Sequence, residues 1–478
     1  MRRGVALGRL ASGAVVFVSL FAAARAEAAT CQGRPTDPAG FQGYSYGADV
    51  AKSFAGTAVS VHYTTTGANA VDPATTRADA VPDTVALAAD VGDKALAKYA
   101  SLGFKAPPSD AACTSNGGDG KIDIYLVAFT GADGTTIPEA CNGRACSSFV
   151  LAESTFKGRG YPTIAEGFET VIAHELFHAV QNTYDSELDR FWAEGTAQWA
   201  MKLVYPQLVD FEQQLPAFFV DPTRSLDTQP SGVTAGFLYG SAVWPLFLTL
   251  RHGPDTVRTI LEGEADGTKS IAAADAFLMT KGSSIAEDYP LFGAWNTATK
   301  TLAGTGGYPD AAKYPGVKVA ALADGATAIT SGLAYFSYRG TLDADSKISL
   351  DTDATRNGGV AVPIDGGKPD LTRAVKLPAD VAAGDVLVVV AGITTKKTDA
   401  PFTLHVGPPD PAMGSSSGGD AGASSTGGPG GGSSSGGCAV VAKAGAPRGE
   451  GSDRDGLASF TVLGLAVAGL VTARRRRR

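Results

Sequence analysis

The spacing of hydrophobic positions changes character along the chain. From 31 to about 158, short apolar runs such as 122–129 and 148–152 are separated by Gly-, Pro- and Asp-rich turns, which predicts strands; one stretch, 83–102, repeats at helical spacing. From about 159 to 305 the period becomes helical. Candidate helices cover 164–184, 190–204 (stopped by Pro206), 239–251 and 255–262, with others running to 298. From about 310 to 408 the runs 333–338, 347–351, 360–364, 386–390 and 402–406 predict short strands parted by Gly, Asp and Pro, as in a β-sandwich. The fold class is therefore α+β: a mixed N-terminal half (30–158), a helical half (159–305) and a β-sandwich-like domain (310–408). No internal repeat is evident.

Both ends of the chain differ from this interior. Residues 1–29 place Arg2, Arg3 and Arg9 before an apolar stretch, 14–24, and end in small-residue sites around Ala24, Ala26 and Ala28, the layout of a secretory signal peptide. That apolar run is too short for a membrane span. A linker occupies 409–437, and its part from 414 onward is almost wholly Gly, Ser, Ala and Thr, a composition that forms no core. Residues 438–478 hold Cys438, an 18-residue apolar segment at 456–473 and five arginines. That order resembles the C-terminal sorting signal of myxobacterial surface proteins, in which the Cys marks the processing site. The segment is just long enough to cross a bilayer with the arginines in the cytoplasm. A membrane contact before processing at Cys438, or a permanent anchor instead of it, both fit.

Composition narrows the partners. The chain has 478 residues, 44% hydrophobic and 18% charged, enough for two or three folded units. Its formal charge of -8 becomes -17 once nine arginines are set aside: Arg2, Arg3, Arg9, Arg25 and Arg474 to Arg478. Such an acidic unit repels phosphate backbones, which excludes a nucleic-acid partner. Cys31, Cys113, Cys141 and Cys146 are an even set in an exported chain, which predicts two disulfides. Of the three connectivities, proximity favours Cys141 with Cys146 and leaves Cys31 with Cys113. A thiolate zinc site is the rival, without a C-x-x-C pair to support it. A Cys31 thiolate blocking a metal from a propeptide-like N-terminal part is another.

One motif carries chemistry. In His174-Glu175-Leu176-Phe177-His178 two histidines stand four residues apart in a helical pattern and so project from one face. With 5 His in the chain, a chance occurrence is expected only roughly 0.001 times. Two imidazoles suit one Zn2+, which as a catalytic ion takes three protein ligands and leaves a position for water. Glu175 lies about 100° around the helix, placed to take a proton from that water. The third ligand is expected sixteen residues after His178, at Glu194 in Trp192-Ala193-Glu194-Gly195-Thr196, on a helix returning after a short connection. Gly195 costs about 1 kcal/mol relative to Ala inside a helix, so a backbone or the metal-site helix should approach closely there. Calcium finds little support: in the loop 115–123, the EF-hand-like positions around Asp119-Gly120 carry too little charge, and a turn before a strand is expected. His62, His252, His405 and the tryptophans 192, 199 and 244 are expected to be surface or core residues.

These residues resemble the gluzincin metallopeptidases, the thermolysin-like group with H-E-x-x-H on one helix and a Glu on the next. The match covers the helical core, and the whole-chain pattern is similar to uncharacterised metalloproteases of myxobacteria. The resemblance implies a zincin-like metallopeptidase core, one zinc per chain held by His174, His178 and Glu194, and Glu175 as general base and then acid. It further implies a downstream oxyanion donor, for which Tyr239 in Leu238-Tyr239-Gly240 is the candidate, with core packing as its other role. No second downstream motif aligns. The implied function is a secreted, surface-displayed hydrolase of protein or peptide substrates. The alternative is a non-catalytic adhesion or binding protein on the same scaffold, which would have no need of Glu175. The sequence assigns neither a bond specificity nor an oligomeric state.

Overall fold

The computed structural model describes residues 31–409. The signal peptide, the linker beyond its first residue and the Cys438-to-Arg478 segment lie outside the described residues. Among the described residues no helix is long and apolar enough to cross a membrane.

The protein is mixed α and β with several sheets. Its N-terminal part comprises β1 (Lys52–Ala55), β2 (Val59–Tyr63), α1 (Asp83–Ser101), β3 (Ile122–Val127), β4 (Gly134–Asn142) and β5 (Ala145–Glu153). The sheet order is β1-β2-β3-β5-β4. β2, β3 and β5 run parallel, so β2 and β3 need a crossover, which α1 supplies. β4 returns from the edge antiparallel to β5.

Strand alternation gives each sheet face its own cover. Ile124 and Leu126 of β3 pack with the helices, while Tyr125 and Val127 pack with Phe41 and Tyr46 of the N-terminal segment. That segment is fixed in two ways. The Cys31–Cys113 disulfide ties its start, and the fully buried Arg34 guanidinium donates to both Glu139 oxygens (2.7 and 2.6 Å) and to Asp110 (2.8 Å). Burial and the nearby Asp123 push the Asp110 carboxyl up to about 6. The second disulfide, Cys141–Cys146, bridges directly opposed residues of β4 and β5.

The helical part holds α2 (Ile164–Gln181), α3 (Arg190–Val204), α4 (Asp210–Phe219), α5 (Gly236–Gly240), α6 (Val243–His252), α7 (Thr256–Glu264), α8 (Ser270–Thr280) and α9 (Ile285–Thr297). α3 has the bounds its period predicts, and Tyr205, directly before Pro206, leaves the helical region at φ -126° and ψ 73°. The helix expected over 239–251 is instead two helices, α5 and α6. Ser241 lies between them, its hydroxyl reaching the carbonyl oxygens of Phe191 (2.7 Å) and Leu238 (2.6 Å).

The last part contains β6 (Ala320–Ala321), β7 (Ala326–Ser331), β8 (Tyr335–Leu342), β9 (Ser346–Thr352), β10 (Asn357–Asp365), β11 (Lys368–Pro369), β12 (Val375–Lys376), β13 (Ala379–Val381), β14 (Gly384–Gly392) and β15 (Asp399–Gly407). They form one sheet ordered β11-β10-β14-β8-β6, with β12 also on β10, and a second ordered β13-β9-β15-β7. Val386, Val388 and Val390 of β14 pack with Ile348, Phe402 and Leu404 of the second sheet. The intervening Leu387, Val389 and Ala391 belong to the main core together with α9. Gly293 of α9 permits this approach, since a Cβ there would lie 2.9 Å from Tyr335 and Val389 side-chain atoms. The main core is thus continuous from Val59 to Ala391.

Candidate metal centre

The site is built on α2, whose start is fixed locally. Thr163 Oγ1 accepts the Glu166 backbone N–H (3.1 Å) as an N-cap, and Glu166 reaches back toward the Thr163 hydroxyl (3.3 Å). The helix continues through His174 and His178 to Gln181. The return to α3 is held by Asp185, which accepts the Glu187 N–H (2.7 Å) and pairs with Arg144 (2.8 Å). That turn brings Glu194 over the two histidines.

His174 Nε2 stands 3.2 Å from Glu194 Oε2, His178 Nε2 stands 3.5 Å from the same oxygen, and the two Nε2 atoms are 3.1 Å apart. Among the described residues these form the one group of three or more potential ligands whose ligand atoms all lie within 4.8 Å of one another. The donor set suits zinc, and so does its spacing. Bonds of about 2.0–2.1 Å in tetrahedral array put neighbouring ligand atoms about 3.3–3.4 Å apart, the size of the triangle observed.

Protonation is set around the triangle. Gln181 Nε2 donates to Ala193 O (2.8 Å) and Thr196 Oγ1 (2.7 Å), which turns Gln181 Oε1 toward His178 Nδ1 at 2.7 Å. His178 therefore carries its proton on Nδ1 and presents an Nε2 lone pair when neutral. In the metal-free chain, burial opposes the charged form of His178, but Glu194 outweighs it and pushes the imidazole up to about 9. Burial likewise opposes ionisation of Glu194, and the hydrogen bonds from His174 and His178 overcome it, holding the carboxyl well below the usual carboxylate range. The negative charge that Glu194 presents to the imidazoles is thus one that a metal cation would equally take.

Glu175 is buried beside the triangle and faces the edge strand. The Thr136 hydroxyl of β4 lies 2.8 Å from Glu175 Oε2 and 2.7 Å from the Glu175 carbonyl oxygen. Gly134 makes this contact geometrically available: a Cβ there would come 2.5 Å from Val171 Cγ1 and 3.0 Å from Glu175 Cγ.

Tyr239 joins the same site from α5, its ring centroid 5.7 Å from that of His174. The Glu194 carboxylate first, then burial, raise its phenol well above the ordinary value, so it remains a proton donor at neutral pH. The close neighbour foreseen at Gly195 is the Ser241–Ala242 turn following Tyr239: a Cβ on Gly195 would lie 2.6 Å from Ser241 Oγ and 3.3 Å from the Ala242 nitrogen.

All five sequence-derived residues, His174, Glu175, His178, Glu194 and Tyr239, come together. The other histidines lie elsewhere. His62 is buried against Asp123 (2.8 Å) and stacked on Tyr125, His252 bonds Asp288, and exposed His405 lies near Asp324 (3.5 Å). Trp192, Trp199 and Trp244 are core residues, and of the loop expected over 115–123 the part up to 121 turns before β3, which begins at Ile122. Sequence reasoning omitted Gln181, although its place three residues after His178 puts it on the same helix face. It also omitted Thr136 and Asp210. Asp210, whose carboxyl is raised by burial against a hydrogen bond from Gln198, has His174 within range of its charge. Neither carries a sequence signal, because both reach the site from separate elements.

Compared with known proteins, the chain matches no protein family and no curated protein.

Proposed function

We propose that this is an exported zinc metallopeptidase with a zincin-like core and a β-sandwich accessory domain, retained at the cell surface through residues 438–478. The observation that carries it is the triangle of His174, His178 and Glu194, with ligand atoms 3.1, 3.2 and 3.5 Å apart beside a buried Glu175. The two facing sheets with a shared apolar interior support the sandwich reading.

Zinc held there would lower the pKa of a water and polarise a scissile carbonyl. Glu175, held by Thr136, accepts the water proton and passes it to the leaving amine. Tyr239 donates a hydrogen bond to the developing oxyanion. The sheet supports a substrate path: among the described residues β4 pairs only with β5, so its outer edge would offer backbone groups to an extended peptide, next to Glu175.

Elemental mass spectrometry on the purified protein tests the reading. We expect about one zinc per chain, lost or strongly weakened in His178→Ala and Glu194→Ala. Glu175→Ala should keep the zinc and lose about 10²–10⁴-fold in hydrolysis of a protein substrate. A folded wild type without zinc would overturn the proposal. Zinc with no turnover that Glu175 affects would favour the adhesion or binding role instead.

A further inference from the structure

Among the described residues Arg190 is the one arginine whose side chain makes no hydrogen bond, ion pair or ring contact. The others, from Arg34 to Arg373, each donate to or pair with an oxygen. In a chain with a formal charge of -8, a free and half-buried guanidinium needs a reason. The carboxylates nearest to it in sequence are engaged elsewhere. Asp185 and Glu187 pair with Arg144 (2.8 and 3.0 Å), Asp189 accepts the Ser270 N–H (3.1 Å) and lies 3.5 Å from Lys269, and Glu194 belongs to the metal triangle.

Helix stability supplies no reason. Arg190 is the first residue of α3, at the positive end of the helix dipole, where a carboxylate is favoured and a cation is not. Its placement does supply one. Arg190 stands four residues before Glu194, so the two project from one face of α3, a single turn apart. Its charge also reaches Tyr239: Glu194, burial and Glu175 raise that phenol, and Arg190 opposes them. The guanidinium therefore lies on the metal-site side of α3, close to the groups that would face a reacting carbonyl. Its planar fork matches a carboxylate through two parallel hydrogen bonds. A peptide carries carboxylates on Asp and Glu side chains and at its C-terminus.

We propose that Arg190 is a specificity-determining residue that receives a carboxylate of the peptide substrate, from an acidic side chain or a free C-terminus near the bond to be cut. The inference rests on the peptidase reading of the metal site and names the substrate class that site prefers.

Binding and turnover are read separately to test it. Fluorescently labelled short peptides carry Glu or Gln at one position, scanned along their length, each with a free-acid or an amidated C-terminus. They are titrated by anisotropy against the purified full-length Glu175→Gln protein and offered to the wild type as substrates. For at least one matched pair, Glu against Gln or acid against amide, the carboxylate member should bind about 10–100-fold tighter; which kind of pair responds identifies the source of the carboxylate. Adding Arg190→Gln should erase that difference, and Arg190→Lys, which keeps the charge without the fork, should retain part of it. Arg190 has no partner in the fold, so both variants are expected to fold. No pair with a carboxylate preference, a preference that survives Arg190→Gln, or an equal loss for both members of every pair would each overturn the proposal. Carboxylate-selective binding without cleavage by the wild type would uphold the role of Arg190 and count against the peptidase reading alone.

Discussion

Gly195 of α3 and Ser241 of the α5–α6 turn are in a contact that leaves no room for a side chain: a Cβ on Gly195 would stand 2.6 Å from Ser241 Oγ. This contact joins the helix carrying Glu194 to the segment carrying Tyr239. Gly195→Ala should therefore destabilise the protein by about 1–3 kcal/mol, although helix propensity alone favours Ala by about 1 kcal/mol. Urea unfolding reads the sign. A more stable Ala variant would show that the turn moves aside freely.

Gln181 fixes the His178 tautomer, so its loss should weaken the metal rather than the fold. Gln181→Leu is expected to lower zinc affinity about 10–100-fold, measured by chelator competition. Gln181→Glu, which keeps an acceptor for His178 Nδ1, should retain most of it. Equal affinity in wild type and the Leu variant would remove Gln181 from the site.

Glu264 supplies a pH dependence opposite in direction to that of a paired carboxylate. It is fully buried and accepts the Trp192 indole N–H (2.9 Å); burial pushes its carboxyl up to about 8 despite that bond. The native state then holds one more proton than the unfolded chain between about 4.3 and 8. Its contribution is complete below that window and is lost as pH rises through about 8. We expect unfolding free energy to fall by at most about 5 kcal/mol across the window from this group. Glu264→Gln should flatten that slope in denaturant titrations from pH 5 to 9. An unchanged slope would mean Glu264 is ionised throughout.

The two disulfides should differ in worth because they close loops of different length. Cys31–Cys113 spans 82 residues and Cys141–Cys146 spans 5. Chain-entropy arguments give about 4 and about 2 kcal/mol respectively. Replacing each pair by Ala and comparing denaturant midpoints tests the order, and an inverted order would point to the hairpin as the more critical constraint.

Much of the fold was legible because its signals are local. The period of 190–204 gave α3 at its observed bounds, and each strand run of the last part lies within or overlaps an observed strand. The helix expected over 239–251 failed for a non-local reason: Ser241 bonds the carbonyl of Phe191, fifty residues away, and the chain turns there.

What the sequence by itself determined is whatever helical geometry and covalent order dictate. His174, His178 and Gln181 share a face because residues three and four apart must, and Cys141 meets Cys146 across a hairpin because so few residues separate them. Tertiary structure alone decided that Thr136 of an edge strand holds Glu175, that the Tyr239 ring lies beside His174, and that Gly195 is small for Ser241. Those contacts join elements whose approach is set by burying a shared apolar core. Packing of that kind depends on the whole chain's shape, and no local period encodes it.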